Sequence, residues 1–600
     1  MTGKPLPDQF YQQQITSLGE ELTILLKRKS RLGWLRLVVL LVTAFTCWQL
    51  LVASLFIVFL VFITGLILFI YVVKKDLANN ELIEHKERLL HINKEELNYL
   101  NYQYTHQKDG AIFYKENHAY AGDLDLFGRA SVYQFINRTT SEQGNERLAQ
   151  WLQQPSTANV IVARQLAIKE LSTITYWRQE LQSIGSAITI SKATENKLVV
   201  WLTERNQFID KMYWQLLRFI MPVITITTLA CYVLDILSYL QFLQALLVFV
   251  VIAFGISRRI MPLYKQLSHV AAETETLSNS IACIEKAPFK NPLLKQLQQS
   301  FYKDHIKASQ RIFQLKKIFN RFEYRLNFIV FIPLNTFLLW DLQQVLQLEQ
   351  WKKKNNSQFQ DWFHSLAELE AISSLGTLAF NHPNWCFPVI ATDETIFTTV
   401  ELGHPLIDPQ KNVRNNFTTT GQQQINLITG SNMAGKSTFL RSVGVNMVLA
   451  CMGAPVCAKE LKATPLKIMS SMRIKDNLEE STSTFYAELK KLKQIIDAVN
   501  NHEPVFILLD EILRGTNSND RHTGSKALIK QLLQQKATGL LATHDLELAN
   551  LATEYPLNIH NYHFDVQVNG EELFFDYKLK RGICQSMNAS ILMKKIGIEL

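Results

Sequence analysis

The chain lacks what a disulfide-stapled or zinc-held protein needs. Its seven cysteines (Cys47, Cys231, Cys283, Cys386, Cys451, Cys457 and Cys584) are dispersed, none forms a C-x-x-C pair, and no Cys/His cluster has zinc-ligand spacing. An odd, scattered set of thiols fits a reducing compartment and excludes a disulfide framework. The segment ahead of Leu37 is polar and charged and does not read as a signal peptide. Charge of one sign is not strongly in excess either: 62 Lys and Arg stand against 53 Asp and Glu, a formal net charge of +9 over 600 residues. So mild a surplus fits a nucleic-acid partner, and equally basic residues flanking membrane spans. The length implies about three or four structural units.

Charge all but disappears in two places. From Leu37 to Val73 no residue is charged and almost all are apolar, a run suited to two spans of about 17–20 residues. The expected turn is Thr46-Cys47-Trp48-Gln49, with Trp48 as an interfacial anchor; one long tilted helix is the alternative. A second apolar block, Phe219 to Ile256, breaks near Asp235-Ile236-Leu237-Ser238-Tyr239 and reads as another hairpin, or else as two buried core helices. The scarcity of polar positions at helical spacing favours the hairpin, since a soluble helix needs a wet face. Lys27, Arg28, Lys29, Arg31 and Arg36 precede the first block, and Lys74 and Lys75 follow it. Arg205, Lys211 and Arg218 precede the second, and Arg258 and Arg259 follow it. The turns between spans carry no Lys or Arg, so the positive-inside rule puts both termini and the intervening chain on the cytoplasmic side. A third apolar stretch, Leu326 to Trp340, is short, contains Pro333 and Asn335, and reads as a buried helix packed on protein or interface.

The middle of the chain is expected to be helical. Glu81 to Tyr104 is charged and leucine-rich without Gly or Pro, and Leu263, Leu267, Val270, Leu277, Ile281 and Ile284 keep heptad spacing with one miss at Thr274. A coiled helix or ordinary bundle packing would both produce that pattern.

The chemistry lies further on. Asn426-Leu427-Ile428-Thr429 reads as a buried strand running into Gly430-Ser431-Asn432-Met433-Ala434-Gly435-Lys436-Ser437-Thr438 and then a helix. This is G-x-x-x-x-G-K-[ST] in the strand–loop–helix context that a phosphate-binding turn requires. Its glycines let backbone N–H groups converge on phosphate, and the helix N-terminus adds its positive end. Lys436 would reach the β- and γ-phosphates of ATP, and the Ser437 hydroxyl would bind Mg²⁺. Val505 to Leu509 is a second buried strand, ending in Asp510-Glu511. An Asp at that strand end can hold Mg²⁺ through water, and the adjacent carboxylate can activate the attacking water. A third strand, Leu540 to Thr543, delivers His544 to the same edge, where a γ-phosphate sensor belongs.

These residues resemble the MutS family. Thr429 to Thr438 is similar to its TGxNMxGKST turn, Asp510-Glu511-Ile512-Leu513-Arg514-Gly515-Thr516 to its DExxRGT segment, and Ala542-Thr543-His544 to its ATH. Ser483-Thr484-Phe485 with Glu488 resembles the STFxxE signature. The resemblance implies that Ser483 contacts the γ-phosphate in the opposite subunit, so that two ATPase domains meet face to face with Asn517 to Asp520 at their interface. Asp123-Leu124-Asp125-Leu126-Phe127, Asn137-Arg138-Thr139 and Gly144 through Trp151 resemble the start of the family's core and lever region, and Gly403-His404-Pro405 its lead into the ATPase domain. The likeness covers roughly residues 120–215 and 260–600. The chain departs from the family in several places. No Phe is followed two residues later by Glu, as in the family's mismatch-reading wedge, and an apolar hairpin stands where the N-terminal reading domains would be. The second hairpin falls about where the DNA clamp is inserted, little chain remains before Leu600 for a C-terminal dimerisation element, and Val413 lies near the place of an adenine-stacking aromatic.

The expected architecture is an α/β P-loop NTPase domain of ABC-like, MutS type at the C-terminus, preceded by an all-α lever and core region with two transmembrane hairpins. The expected divisions are 1–105 (membrane hairpin with spans about 34–73, then a helix), 106–215 (first core and lever segment), 216–260 (second hairpin), 261–395 (second lever segment) and 396–600 (ATPase domain). The expected function is a membrane-anchored ATPase, dimeric through its ATPase domains, using ATP and Mg²⁺, with DNA binding left open. The alternatives are mismatch repair proper and transport. Transport is disfavoured by two short hairpins with almost no polar residue to line a path.

Overall fold

The computed structural model describes residues 6–51, 54–267, 270–303, 306–355, 358–431, 433–473, 484–569 and 572–584. The chain divides into two compact units. One comprises Met1–Glu96, Thr140–Gly144 and Tyr176–Leu369, and the other Leu97–Thr139, Asn145–Thr175 and Glu370–Leu600. The N-terminal region of the chain is mostly helical, and the C-terminal region is an α/β domain.

In the first unit the uncharged run folds as the end of helix α1 (Pro7–Leu50) and the beginning of α2 (Leu55–Leu100). The break thus falls after Leu50, several residues beyond the expected Thr46–Gln49 turn, because nothing in that tetrapeptide obstructs helix and the Thr46 hydroxyl donates back to the Val42 carbonyl at 2.7 Å. The two helices run antiparallel. Arg36 pairs with the nearly buried Asp76 at 3.1 Å and Lys86 with Glu21 at 2.6 Å, while Asn79 donates to the Leu25 carbonyl. The second apolar block forms α3 (Met212–Val233) and α4 (Tyr239–Leu267), broken where Asp235 adopts a left-handed conformation (φ 56°). Among the described residues, α1 to α4 are each long and apolar enough to cross a membrane. The heptad positions run from the end of α4 onto a helix, Val270–Glu285, with residues 268 and 269 between them outside the described residues. Val270–Glu285 packs on Ala308–Phe322, with Ser278 donating to the Ser309 carbonyl and the Ser309 hydroxyl donating to Glu285.

The stretch read as a buried helix is α5 (Phe328–Leu338), followed across Leu339 by α6 (Trp340–Asn355) at an angle of 79°. The expectation of burial is overturned on its outer face: Phe328, Ile329 and Ile332 are exposed, and the buried residues are Asn335 and Thr336. Helix α7 (Phe359–Asn381) carries the chain from the first unit into the second.

In the second unit, ten described strands follow: β1 (Val389–Ile390), β2 (Ile396–Leu402), β3 (Asn415–Thr420), β4 (Ile425–Thr429), β5 (Glu460–Ala463), β6 (Lys467–Ser471), β7 (Val505–Asp510), β8 (Thr538–Thr543), β9 (Ile559–Asn569) and β10 (Glu572–Arg581). They form a four-stranded sheet ordered β1-β5-β2-β3 and a six-stranded sheet ordered β10-β9-β4-β8-β7-β6. In the larger sheet β9, β4, β8, β7 and β6 are parallel, and only β10 is antiparallel. Parallel strands covered on both faces read as unbroken apolar runs, and β4, β7 and β8 are buried at every position. Helix α8 (Lys436–Met452), apolar around nearly its whole circumference, is buried along almost all its length. Helices α9 (Thr484–Asn500) and α10 (Ser518–Gln534) supply Leu492, Ile495, Val499, Ile529 and Leu532 to the core beneath Ile507, Leu509 and Leu541. The pairing aligns Thr429 with Thr543 and Ala542 with Asp510, so the carboxyl ends of β4, β8 and β7 come together at one sheet edge.

Candidate active site

That edge is where an open parallel sheet offers a crevice. β4 leaves through Gly430 (φ 148°), where a Cβ would lie 2.8 Å from the Phe564 carbonyl oxygen, and the turn closes at Gly435 (φ 105°), where it would lie 3.1 Å from the Tyr577 ring. A side chain at Gly430 would collide with backbone, one at Gly435 would crowd the Tyr577 ring in a backbone conformation that L side chains rarely adopt, and the Gly435 conformation delivers the first turn of α8 to the crevice. The Lys436 ammonium folds back over the turn, donating to the Gly430 carbonyl at 2.6 Å and the Ser431 carbonyl at 2.9 Å.

Ser431, Met433, Gly435, Lys436, Ser437, Thr438 and Glu511 line one cleft of about 380 Å³. Gly430 opens the turn and Ala434 lies buried behind it, its N–H donating to the Ser431 carbonyl. Asn432 and Ser483 lie outside the described residues. Glu511, in the left-handed region (φ 51°), is held from three sides: His544 Nδ1 at 3.0 Å, Arg514 at 3.0 Å and Lys436 at 3.9 Å. The adjacent His544 imidazole, aided by the two cations, holds its carboxyl below the usual range, so it is ionised at neutral pH. Burial lowers the Lys436 pKa, opposed by Glu511 and Asp510. Burial raises that of Asp510, opposed by a hydrogen bond from Ser437.

Asp510 is the informative residue for a cation. It is 5% exposed, its Oδ1 has no hydrogen-bond partner, and the nearest Arg514 nitrogen stands 4.0 Å from Oδ2. A buried carboxylate oxygen left over beside a serine hydroxyl is a donor set suited to Mg²⁺, a hard ion that takes oxygen ligands.

Two features escaped the sequence reading. The first is how the Glu511 loop is held. Glu488, on the first turns of α9 and 2% exposed, accepts from the backbone N–H groups of Leu513 and of Arg514, the latter at 3.2 Å. Leu513 also has positive φ (61°), and a Cβ on Gly515 would lie 2.6 Å from that of Phe485, so the start of α9 grips a strained loop. Asp123 fastens the same helix from the other side, accepting from Ser470, from the Arg473 N–H and from Lys491. The second is Tyr577, an aromatic on β10 that lines the cleft together with Val413. Asn517 caps α10, accepting from the Asp520 N–H at 2.9 Å.

The fold and this edge define a P-loop ATPase-like domain. Residues 426–596 match the family model described as MutS domain V. The chain is 32% identical over 245 residues to MutS protein homolog 4 of Mus musculus, covering 39% of this chain and 25% of that protein. It is 30% identical over 245 residues to DNA mismatch repair protein MutS of Natronomonas pharaonis, covering 40% and 28% respectively. With DNA mismatch repair protein MutS of Thermotoga maritima it shares 29% identity over 250 residues, covering 41% and 31%. The C-terminal domain is therefore homologous to the ATPase domain of MutS, while the matches extend over only 25–31% of these relatives.

Proposed function

We propose that the protein is a membrane-anchored MutS-like ATPase that binds and hydrolyses ATP in a site completed by a second subunit. The observation that carries the reading is the convergence of Lys436, Glu511 and His544 on a phosphate-binding turn at the ends of three parallel strands. In this scheme the amides of the 430–438 turn and the first turn of α8 bind the phosphates, and Lys436 exchanges its turn carbonyls for phosphate oxygens. Ser437 and Asp510 would hold Mg²⁺, which when bound would neutralise charge on the transferring phosphoryl group. Glu511 orients a water and takes its proton as the oxygen attacks the γ-phosphorus, while the bond to the leaving ADP oxygen breaks. His544 positions Glu511 and answers charge developing on the γ-phosphate.

Membrane attachment is supported by the four long apolar helices, by the exposure of their side chains and by the basic residues that flank both hairpins on one side. The ATPase domain and both termini then lie in the cytoplasm. Dimerisation rests on the likeness of Ser483 and its neighbours to the STFxxE signature. If Ser483 of one subunit completes the other's site, mixing Ser483→Ala with Lys436→Ala should restore hydrolysis that neither variant shows alone, because the mixed dimer then holds one intact site, and no restoration would refute sharing.

The names of the relatives favour a second reading, recognition of mismatched DNA. Mismatched and paired duplexes compared at fixed salt decide it; the expected result is no preference, since the Phe-x-Glu wedge is missing from the sequence.

A further inference from the structure

Helix α5 is turned inside out. Phe328 and Ile329 are 69% and 71% exposed, and Leu326, Val330 and Ile332 are also exposed, whereas Asn335 and Thr336 are buried. Water would favour the opposite arrangement. The buried polar atoms are answered by the flanking helices. Asn335 Nδ2 donates to Ser257 Oγ at 2.9 Å, and its Oδ1 accepts from the Asp341 N–H at 3.1 Å. The Ser257 hydroxyl bonds to Asp341, and Thr225 donates to the Phe337 carbonyl at 2.6 Å. Thr225 lies within the apolar Phe219–Ile256 block and Ser257 at its end, just before Arg258 and Arg259, so this end of α5 sits at the cytoplasmic edge of the proposed hydrocarbon layer.

The two ends of the excursion are tied to each other. The Tyr324 and Trp340 rings stack at 5.8 Å, Trp340 Nε1 donates to the Arg321 carbonyl at 2.8 Å, and Arg325 pairs with Asp341 at 3.4 Å. A chain that leaves where it came in has not crossed. Length agrees: eleven helical residues rise roughly 16 Å, about half of a hydrocarbon core of roughly 30 Å. Beyond the bend at Leu339 (φ 49°), α6 buries Leu342, Val345, Leu346, Leu348 and Trp351, the apolar stripe of a helix packed in water.

We infer that Leu326–Leu338 is a re-entrant insertion whose apolar face is covered by acyl chains of the cytoplasmic leaflet, beside the α3–α4 hairpin and anchored at the interface by Tyr324 and Trp340. This rests on the membrane reading above, and it excludes a fifth crossing.

The test is photocrosslinking of the full chain in phosphatidylethanolamine–phosphatidylglycerol vesicles, with p-benzoylphenylalanine at Ile329, at the exposed Phe59 of α2 and at Lys411 in the cleft. The expected result is lipid adducts at 329 in yield within a few-fold of those at 59, and none at 411. Lipid at 59 with none at 329, or a 329 adduct to protein, including a second copy of this chain, would overturn the insertion while leaving the spans intact. Lipid at neither 329 nor 59 would overturn the membrane reading itself. In the same sealed vesicles a membrane-impermeant amine reagent should modify Lys317 and Lys354 together or spare both. Modification of only one would make the segment a crossing and refute re-entry.

Discussion

The cleft of the second unit and the elbow at Leu339 in the first each bury an aspartate beside an apolar stretch, and they differ in the counter-charge that meets it. Asp341, 1% exposed, meets a guanidinium that is itself almost wholly buried, 3.4 Å away, and its neighbours Ser257 and Asn335 bond within the same cluster. Each aspartate keeps one oxygen without a hydrogen-bond partner, but the arginine nearest Asp510 is half exposed and 4.0 Å off. The elbow carries its own buried counter-charge in the Arg325 guanidinium. The cleft is left in need of a cation, as a binding site is.

The largest effect that could break this contrast is on turnover. Glu511→Gln should bind ATP with nearly unchanged Kd and lower kcat by about 100-fold or more, the range for losing a general base; wild-type turnover would remove Glu511 from that role. Next comes the elbow. Arg325→Ala strands Asp341 and should cost about 3–5 kcal/mol of stability, read as a lowered melting temperature in detergent. The double variant Arg325→Met with Asp341→Leu should recover most of that loss, and failure to recover would mean that the pair is not self-contained.

A third effect distinguishes the units by pH. Burial pushes His404 down to about 4 and His382 down to about 3, both in the second unit. Each is neutral when folded and takes a proton when unfolded, so their contribution is complete above the unfolded value near 6.5 and is lost as pH falls toward the folded values. At pH 5 the loss from His404 alone is about 2 kcal/mol, so calorimetry between pH 7 and 5 should show the second unit's transition moving down, and His404→Gln should reduce that slope. The smallest effect is Glu488→Gln. Weakening a charged acceptor for two backbone donors costs about 1 kcal/mol, and should lower kcat several-fold while leaving ATP affinity in place; a change confined to affinity would contradict a role in positioning the Glu511 loop.

The same contrast explains what could be read from the sequence. The phosphate turn is one contiguous segment between a strand and a helix, so Gly430, Gly435, Lys436 and Ser437 announce themselves by spacing, and Asp510, Glu511 and His544 by following apolar strands. The two pairs of long apolar helices were equally legible, because runs almost free of charge and of helix breakers favour continuous helix. The elbow was not. Arg325, Asp341 and Ser257 come from separate helices, and a short apolar run with a Pro and an Asn looks alike whether its apolar face turns inward or outward. The Glu488 clamp was hidden for a related reason: its partners are backbone N–H groups of Leu513 and Arg514, which no side-chain pattern records. Tyr577 was missed because an aromatic on a late strand carries no sign of which edge it will reach.

That clamp also sets a clock. The amide protons of Leu513 and Arg514 belong to an outer loop, yet both bond to a carboxylate sealed beneath the first turns of α9. Their exchange with deuterated solvent requires the Glu488 bonds to open, and so follows movement of that helix rather than the fraying expected of a loop. Two surface amides thereby report, minute by minute, on how firmly the signature helix is seated.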